Sequence, residues 1–277
     1  MTTKIKTVLV AMLVGGIGAV QAAETYYVDG SRETDAGDGK SELTAKKYIQ
    51  SAVALCENDD TVVILPGVYD EGATTPSGAA GSLPARVKIA KRITLTSRDG
   101  RDSVFICGQR SSETTYGAGS DAVRGIVVTA DGAGTVIEKV TVCNGATWTS
   151  DSKGAVSGYG GGIYCEDTSV YICDCTISNC TAFADGGLHC GTAARCWFTR
   201  NEDSGARASA AAYSRVSNCI FSHNSSGKPY LLSRNGYVIN CTIVDNNGGH
   251  MASASGTTDY AMLNCLSVDN SYGLISS

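Results

Sequence analysis

Between Asp174 and Asn270 the chain repeats itself. The segments DCTISNC, RCWFTRN, NCIFSHN, NCTIVDN and NCLSVDN begin at Asp174, Arg195, Asn218, Asn240 and Asn264. Their cysteines, Cys175, Cys196, Cys219, Cys241 and Cys265, are 21, 23, 22 and 24 residues apart. A period that short does not accommodate the helix pairs of α-solenoids, which repeat at roughly 33–47 residues. Each unit is rich in Val, Ile, Thr and Phe, alternates with a period near two, and is set off by Gly, Asn, Asp and Ser. That is the composition of short strands and tight turns. A coil of about 22 residues built from three short strands and three turns is one rung of a β-solenoid, and successive rungs pair in parallel about 4.8 Å apart. The expected fold class is all-β, a right-handed parallel β-helix with a short N-terminal capping helix.

Stacking puts equivalent residues above one another. The cysteine and the apolar residue two places on (Ile177, Phe198, Phe221, Ile243) are expected to point inward and the residue between them outward. Asn201, Asn224, Asn246 and Asn270 are expected to form an amide ladder at an inward turn, with Cys180 interrupting it. KVTVCN, from Lys139, is placed in the same frame, with Val142 as the apolar residue and Asn144 as the ladder amide. The 36-residue step from Lys139 to Cys175 then contains one insertion, Ala146 to Gly162. GGIYC from Gly161 and GGLHC from Gly186 give a second register, whose glycines are expected to supply positive φ at a turn.

The first hundred residues read differently. Ile49, Ala52, Val53 and Cys56 share one face of a short helix, with Thr44 as the expected N-cap. A strand over Thr61 to Leu65 stops at Pro66-Gly67, and further strands are expected at Val87–Ala90, Ile93–Thr96, Val104–Cys107 and Gly125–Thr129. Residues 1–22 have the form of a signal peptide. Lys4 and Lys6 precede an apolar run from Val8 to Val20, with small residues at Ala22 and Ala23. The remainder, 23–277, reads as one β-helix domain. Residues 23–70 form its N-terminal cap and first rung, 137–277 hold its clearest repeats, and the chain stops inside a rung, as a truncated or uncapped one would. Removing Lys4 and Lys6 with the signal leaves 20 of the 22 basic residues against 27 acidic ones. An acidic surface of that kind excludes nucleic acid as a partner. No transmembrane helix is expected in the mature chain.

The segment YYVDGS…TAKKYIQSAVALCENDDTVVILPGVYDEG resembles the N-terminal part of secreted bacterial proteins with the pectin-lyase-like parallel β-helix. The downstream GGI (Gly161–Ile163), GGL (Gly186–Leu188), FTRN (Phe198–Asn201) and FSHN (Phe221–Asn224) resemble the repeats of polymorphic outer membrane proteins. The resemblance implies export to the cell surface, the outer membrane or the medium, and it raises the expectation of polysaccharide chemistry.

The residues themselves show no paired catalytic carboxylates and no recognisable lyase motif. The leading expectation is therefore a non-enzymatic surface scaffold for adhesion or glycan binding, with an extracellular polysaccharide or cell-surface glycan as partner. The alternative is a polysaccharide lyase acting on an acidic polymer. Asn179, Arg200, His223, Asp245 and Asp269 fall in one column, four residues after each cysteine. Within it Arg200 and His223 are the catalytic candidates, and Asp245 with Asp269 a candidate Ca²⁺ pair. No other cofactor is expected. Trp148, Tyr159, Tyr164 and Trp197 are the candidate sugar-stacking residues, Trp148 and Tyr159 in the insertion, while His189 and His250 are read as turn or surface residues. Export permits disulfides. The pairing is left open, and stacked core thiols are the competing expectation.

Overall fold

The computed structural model describes residues 22–75, 83–115, 117–148, 158–205, 208–226, 230–233, 237–247, 250–252 and 261–271. The expected export signal, except Ala22, lies outside them, as does the middle of the insertion, 149–157.

From Thr25 onward the chain winds as a right-handed parallel β-helix. The described strands form sheets of fourteen, eight and three strands. The largest sheet is two faces that merge. Its first face stacks Ala85–Ile89, Arg124–Val128 and Ile163–Cys165 in parallel. Its second face stacks Thr25–Val28, Thr61–Ile64, Thr94–Ser97, Val136–Glu138 and Tyr171–Cys173. The longer strands Leu188–Ala194 and Ala208–Ser217 run through both faces. They bend at Cys190 and Tyr213, which hold φ of 64° and 53°. The third face is the eight-stranded sheet, from Gly67–Tyr69 to Leu266–Val268. The strands expected at Val87, Ile93, Val104 and Gly125 are all present, within two residues of those bounds.

On the third face Val142, Ile177, Phe198, Phe221 and Ile243 lie in direct register and are fully buried. The Phe198 and Phe221 rings stack at 4.9 Å with 9° between planes. Burying each of these side chains contributes about 1.5–3 kcal/mol. At the N-terminal end the helix α1 (Ile49–Leu55) packs on the first strands of the first two faces and buries Ile49, Ala52 and Val53. Its N-cap is Tyr48 rather than Thr44; Thr44 closes a short 3-10 turn capped by Ser41. Asp60 is almost wholly buried and accepts the Glu24 and Glu57 N–H groups at 2.7 Å, so it ties the cap together. No described helix is long and apolar enough to cross a membrane.

From Thr141–Cys143 onward, each end of a third-face strand turns through a left-handed residue. Before the cysteine column these are Lys139, Asp174, Arg195, Asn218, Asn240 and Asn264, with φ of 50° to 57°. At the other end they are Asn144, Asn179, Arg200, His223, Asp245 and Asp269, with φ of 52° to 56°. Most are Asn, Asp or His, the non-glycine residues that tolerate this region best.

This placement corrects the reading of Asn144. Thr141, Val142 and Cys143 pair with Thr176, Ile177 and Ser178, so Asn144 lies opposite Asn179 in the outward column. Asn179 Nδ2 donates to Asn144 Oδ1 at 2.6 Å. Val140 stands at the cysteine position and Gly145 at the ladder position. A Cβ on Gly145 would come within 2.0 Å of Gly161 O, which leaves no room for an amide there. The Gly-Gly pairs are corrected too. None of Gly161, Gly162, Gly186 and Gly187 has positive φ. They are glycines because neighbouring backbones approach closely: a Cβ would meet Thr181 O at 2.2 Å from Gly161 and Glu202 O at 2.2 Å from Gly186.

Candidate functional site

The stacked register builds one chemically dense cluster, on the outer side of the first face. Ile163 pairs with Leu188 and both point inward, so Tyr164 and His189, the next residues, both point outward in register. Their rings stack at 5.0 Å with 5° between planes. Tyr159 reaches the same place from the preceding turn, which is held by a bridge between Tyr159 and Ala184, and its ring lies 5.4 Å from His189. Tyr213, at the bend of the next rung, adds a tilted ring at 5.3 Å. Tyr159 and Tyr164 are buried, whereas His189 and Tyr213 are part-exposed. Burial raises the Tyr164 hydroxyl to about 12, so it remains a neutral donor.

Two charged groups sit beneath these rings. Asp185, in the left-handed region at φ 64° and fully buried, places Oδ2 2.6 Å from His189 Nδ1. That contact fixes a hydrogen on Nδ1 and presents Nε2, which has no partner among the described residues. Arg124 is fully buried. Its Nε donates to Tyr159 O at 3.1 Å and its guanidinium lies 5.3 Å from the centre of the Tyr164 ring. Desolvation lowers its pKa to about 10, which leaves it a cation at neutral pH. Among the described residues Asp185 Oδ1, Thr181 Oγ1 and Ser209 Oγ are buried without hydrogen-bond partners. An unmatched buried polar atom costs about 1–3 kcal/mol, so such atoms collect where a fold serves a ligand.

Of the expected stacking residues, Tyr159 and Tyr164 belong to this cluster. Trp148 packs with Leu83, Ala122 and Ala146 in a separate small core. Trp197 stands on the outside of the third face, 40% exposed beside Ile220, with Nε1 donating to Ser222 Oγ at 2.8 Å. The backbone of the column Asn179, Arg200, His223, Asp245 and Asp269 does stack at one corner. There His223 Nε2 lies 3.0 Å from Asp245 Oδ2, and both side chains are largely exposed. Among the described residues no group of three or more His, Cys, Asp or Glu side chains is placed to hold a metal ion. His250 pairs by its backbone with Tyr230, away from this corner.

The reading of His189 as a turn or surface residue misses the cluster because its carboxylate lies four residues back and its stacking partner a full rung away. The signal was nonetheless present. Tyr164 and His189 occupy the same place in GGIYC and GGLHC, and two rings in the same phase of a parallel repeat must meet.

Two solved structures share this architecture. A pectin methylesterase in complex with a hexasaccharide gives a TM-score of 0.56 at 14% identity, covering 92% of this chain and 82% of that one. The pectate lyase Pel9A gives 0.58 at 14% identity, covering 89% of this chain and 64% of the lyase. At such identity the likeness is one of fold. A comparison with curated protein sequences finds no match. The family described as "Right handed beta helix region" matches residues 124–277, which include the whole Tyr164–His189 cluster except its support from earlier rungs. The chain therefore belongs to the right-handed β-helix family.

Proposed function

We propose that this protein is an exported or surface-associated β-helix that binds a polysaccharide across the outer side of its first face, with His189 and Tyr213 as the contact surface. The observation that carries the reading is the Asp185–His189 pair set within a stack of tyrosine rings. An aromatic surface with a few fixed polar groups suits a sugar ring, which offers an apolar face and a rim of hydroxyls. The hexasaccharide bound to a pectin methylesterase of similar fold supports an oligosaccharide as the ligand class.

Titration calorimetry with neutral and acidic oligosaccharides tests this. His189→Ala and Tyr213→Ala are each expected to weaken binding about tenfold or more, consistent with the loss of about 1–3 kcal/mol from a stacking contact. Trp197→Ala is expected to leave it unchanged. Binding that survives both first-face substitutions, or that Trp197→Ala abolishes, overturns the site. Export is tested by N-terminal sequencing of protein recovered outside the cytoplasm, which is expected to begin at Ala23.

The unpartnered His189 Nε2 favours a second reading, a carbohydrate-active enzyme of the lyase type acting on an acidic polymer. There His189 serves as general base and Asp185 orients it. Absorbance of unsaturated products from a panel of uronate polymers, with and without Ca²⁺, tests it. Under this reading Asp185→Asn retains binding and loses turnover.

A further inference from the structure

We propose that Cys107 and Cys143 form a thiol pair that closes to a disulfide by exchange with a small-molecule disulfide, stapling adjacent rungs where the chain leaves the repeat on its two long excursions. The two residues pair directly across Val104–Cys107 and Thr141–Cys143, and both alternate outward from the inward Ile106 and Val142. Their Sγ atoms lie 2.9 Å apart. That is closer than two unbonded heavy atoms ordinarily settle, roughly 3.5–4.0 Å. In-register parallel neighbours stand about 4.8 Å apart, inside the range of Cα separations that a disulfide spans.

The thiols of the core column are placed differently. Cys175, Cys196, Cys219, Cys241 and Cys265 each donate to the carbonyl two residues back, at 3.2 to 3.3 Å. Cys196 and Cys219 donate their N–H groups to the sulfur of the next rung. Those thiols are engaged by backbone, all but Cys265 are closed off from solvent, and Cys180, in the neighbouring corner, is pushed up to about 12 by burial. Cys143, by contrast, is part-exposed, and the hydrogen bond between the two thiols holds Cys107 below its ordinary value and Cys143 above its own.

The backbone around the pair is tight. Gly108 N donates to Cys143 O at 2.9 Å, and a Cβ on Gly108 would lie 2.5 Å from Gly145 Cα. Closing the bond therefore needs little main-chain movement. Beyond Cys107 the chain enters the excursion pinned by the Gln109–Val123 bridge, and beyond Cys143 the one that carries Trp148 onto Ala122. The staple fixes the roots of both.

In the exchange, one thiolate attacks a sulfur of a disulfide such as oxidised glutathione, forming a mixed disulfide and releasing one glutathione thiolate. The second protein thiol then attacks the protein-side sulfur and releases the other. The two protein protons end on two reduced glutathiones, and the electron pair that leaves the protein thiols reduces the glutathione disulfide.

The test incubates the purified protein with oxidised glutathione and reads intact mass, the peptide map and the melting temperature. The expected product lacks two hydrogens, contains one cross-linked peptide joining Cys107 to Cys143, and melts about 5–10 °C higher than the reduced protein. The Cys107→Ser/Cys143→Ser double variant is expected to show no redox-dependent melting shift. Cys143→Ser alone should remain unbridged. A bridge between core-column cysteines, wild-type protein with all twelve thiols still free, or a redox shift that persists in the double variant would overturn the proposal. The wild-type peptide map decides the matter even if a variant fails to fold.

Discussion

The third face is bounded by two inward corners, and comparing them shows how one backbone problem is met by different chemistry. At one corner stand Cys175, Cys196, Cys219, Cys241 and Cys265; at the other stand Cys180, Asn201, Asn224, Asn246 and Asn270. Both corners leave a main-chain N–H pointing along the stack. At the cysteine corner the acceptor is a sulfur 3.4 Å away; at the asparagine corner it is an amide oxygen at 2.9 Å. The amide also donates twice. Asn224 Nδ2 reaches Phe198 O at 2.9 Å and Asn246 Oδ1 at 2.9 Å. The thiol is a weak partner that mostly fills space, whereas the amide is a full hydrogen-bonding unit in a dry interior. The cysteine corner should therefore behave as packing and the asparagine corner as a network.

The sharpest way to break this comparison is to delete one member from each corner. Asn224→Ala leaves buried donors and acceptors unmatched on two neighbouring rungs and is expected to cost about 3–4 kcal/mol in denaturant unfolding. Gly145→Asn, which would place an amide on the rung before Cys180, is expected to destabilise by about 2–3 kcal/mol, because its Cβ meets Gly161 O. Cys219→Ala removes a small buried thiol and is expected to cost only about 1–2 kcal/mol. A thiol deletion as damaging as the amide deletion would refute the distinction. The smallest effect belongs to the outward side of the cysteine corner. There Arg195 makes a two-pronged contact with Asp174 at 2.7 and 2.8 Å, in the open. This contact holds the Asp174 carboxyl below its ordinary range. Its contribution is present above the unfolded Asp value and disappears as pH falls through the lowered one. Melting curves of Arg195→Ala should differ from wild type only slightly at pH 7, and not at all once Asp174 is protonated.

The solenoid and both inward columns were legible in the sequence, because a parallel stack makes each core position recur at the rung period. Where that recurrence lapses, the reading slipped. At KVTVCN the valine at the thiol place and the glycine at the amide place hide the frame, so Asn144 was set one position off. The Gly-Gly pairs were recognised as a repeat but given the wrong cause, since close approach between sheets depends on a neighbouring rung that local sequence does not display. The functional cluster was harder for the same reason. Arg124, Tyr164, His189 and Tyr213 belong to four successive rungs, and only the three-dimensional register brings them together. The column at Arg200 and His223 does stack by its backbone, yet among the described residues its side chains meet only at His223 and Asp245 and, at its start, at Asn179 and Asn144.

The corner hydrogen bonds have a direction. Asn201 gives its N–H to Asn224, Asn224 to Asn246 and Asn246 to Asn270; Cys196 gives to Cys219 and Cys219 to Cys241. In each case the earlier rung donates and the later one accepts. A chain emerging amino end first therefore always displays, at its leading coil, donors that only the coil still to come can satisfy. At these two corners each turn therefore presents a row of donors shaped to its successor. Halted synthesis at any rung of this region would leave the same short row of unanswered donors, ready to capture the next matching turn presented to it.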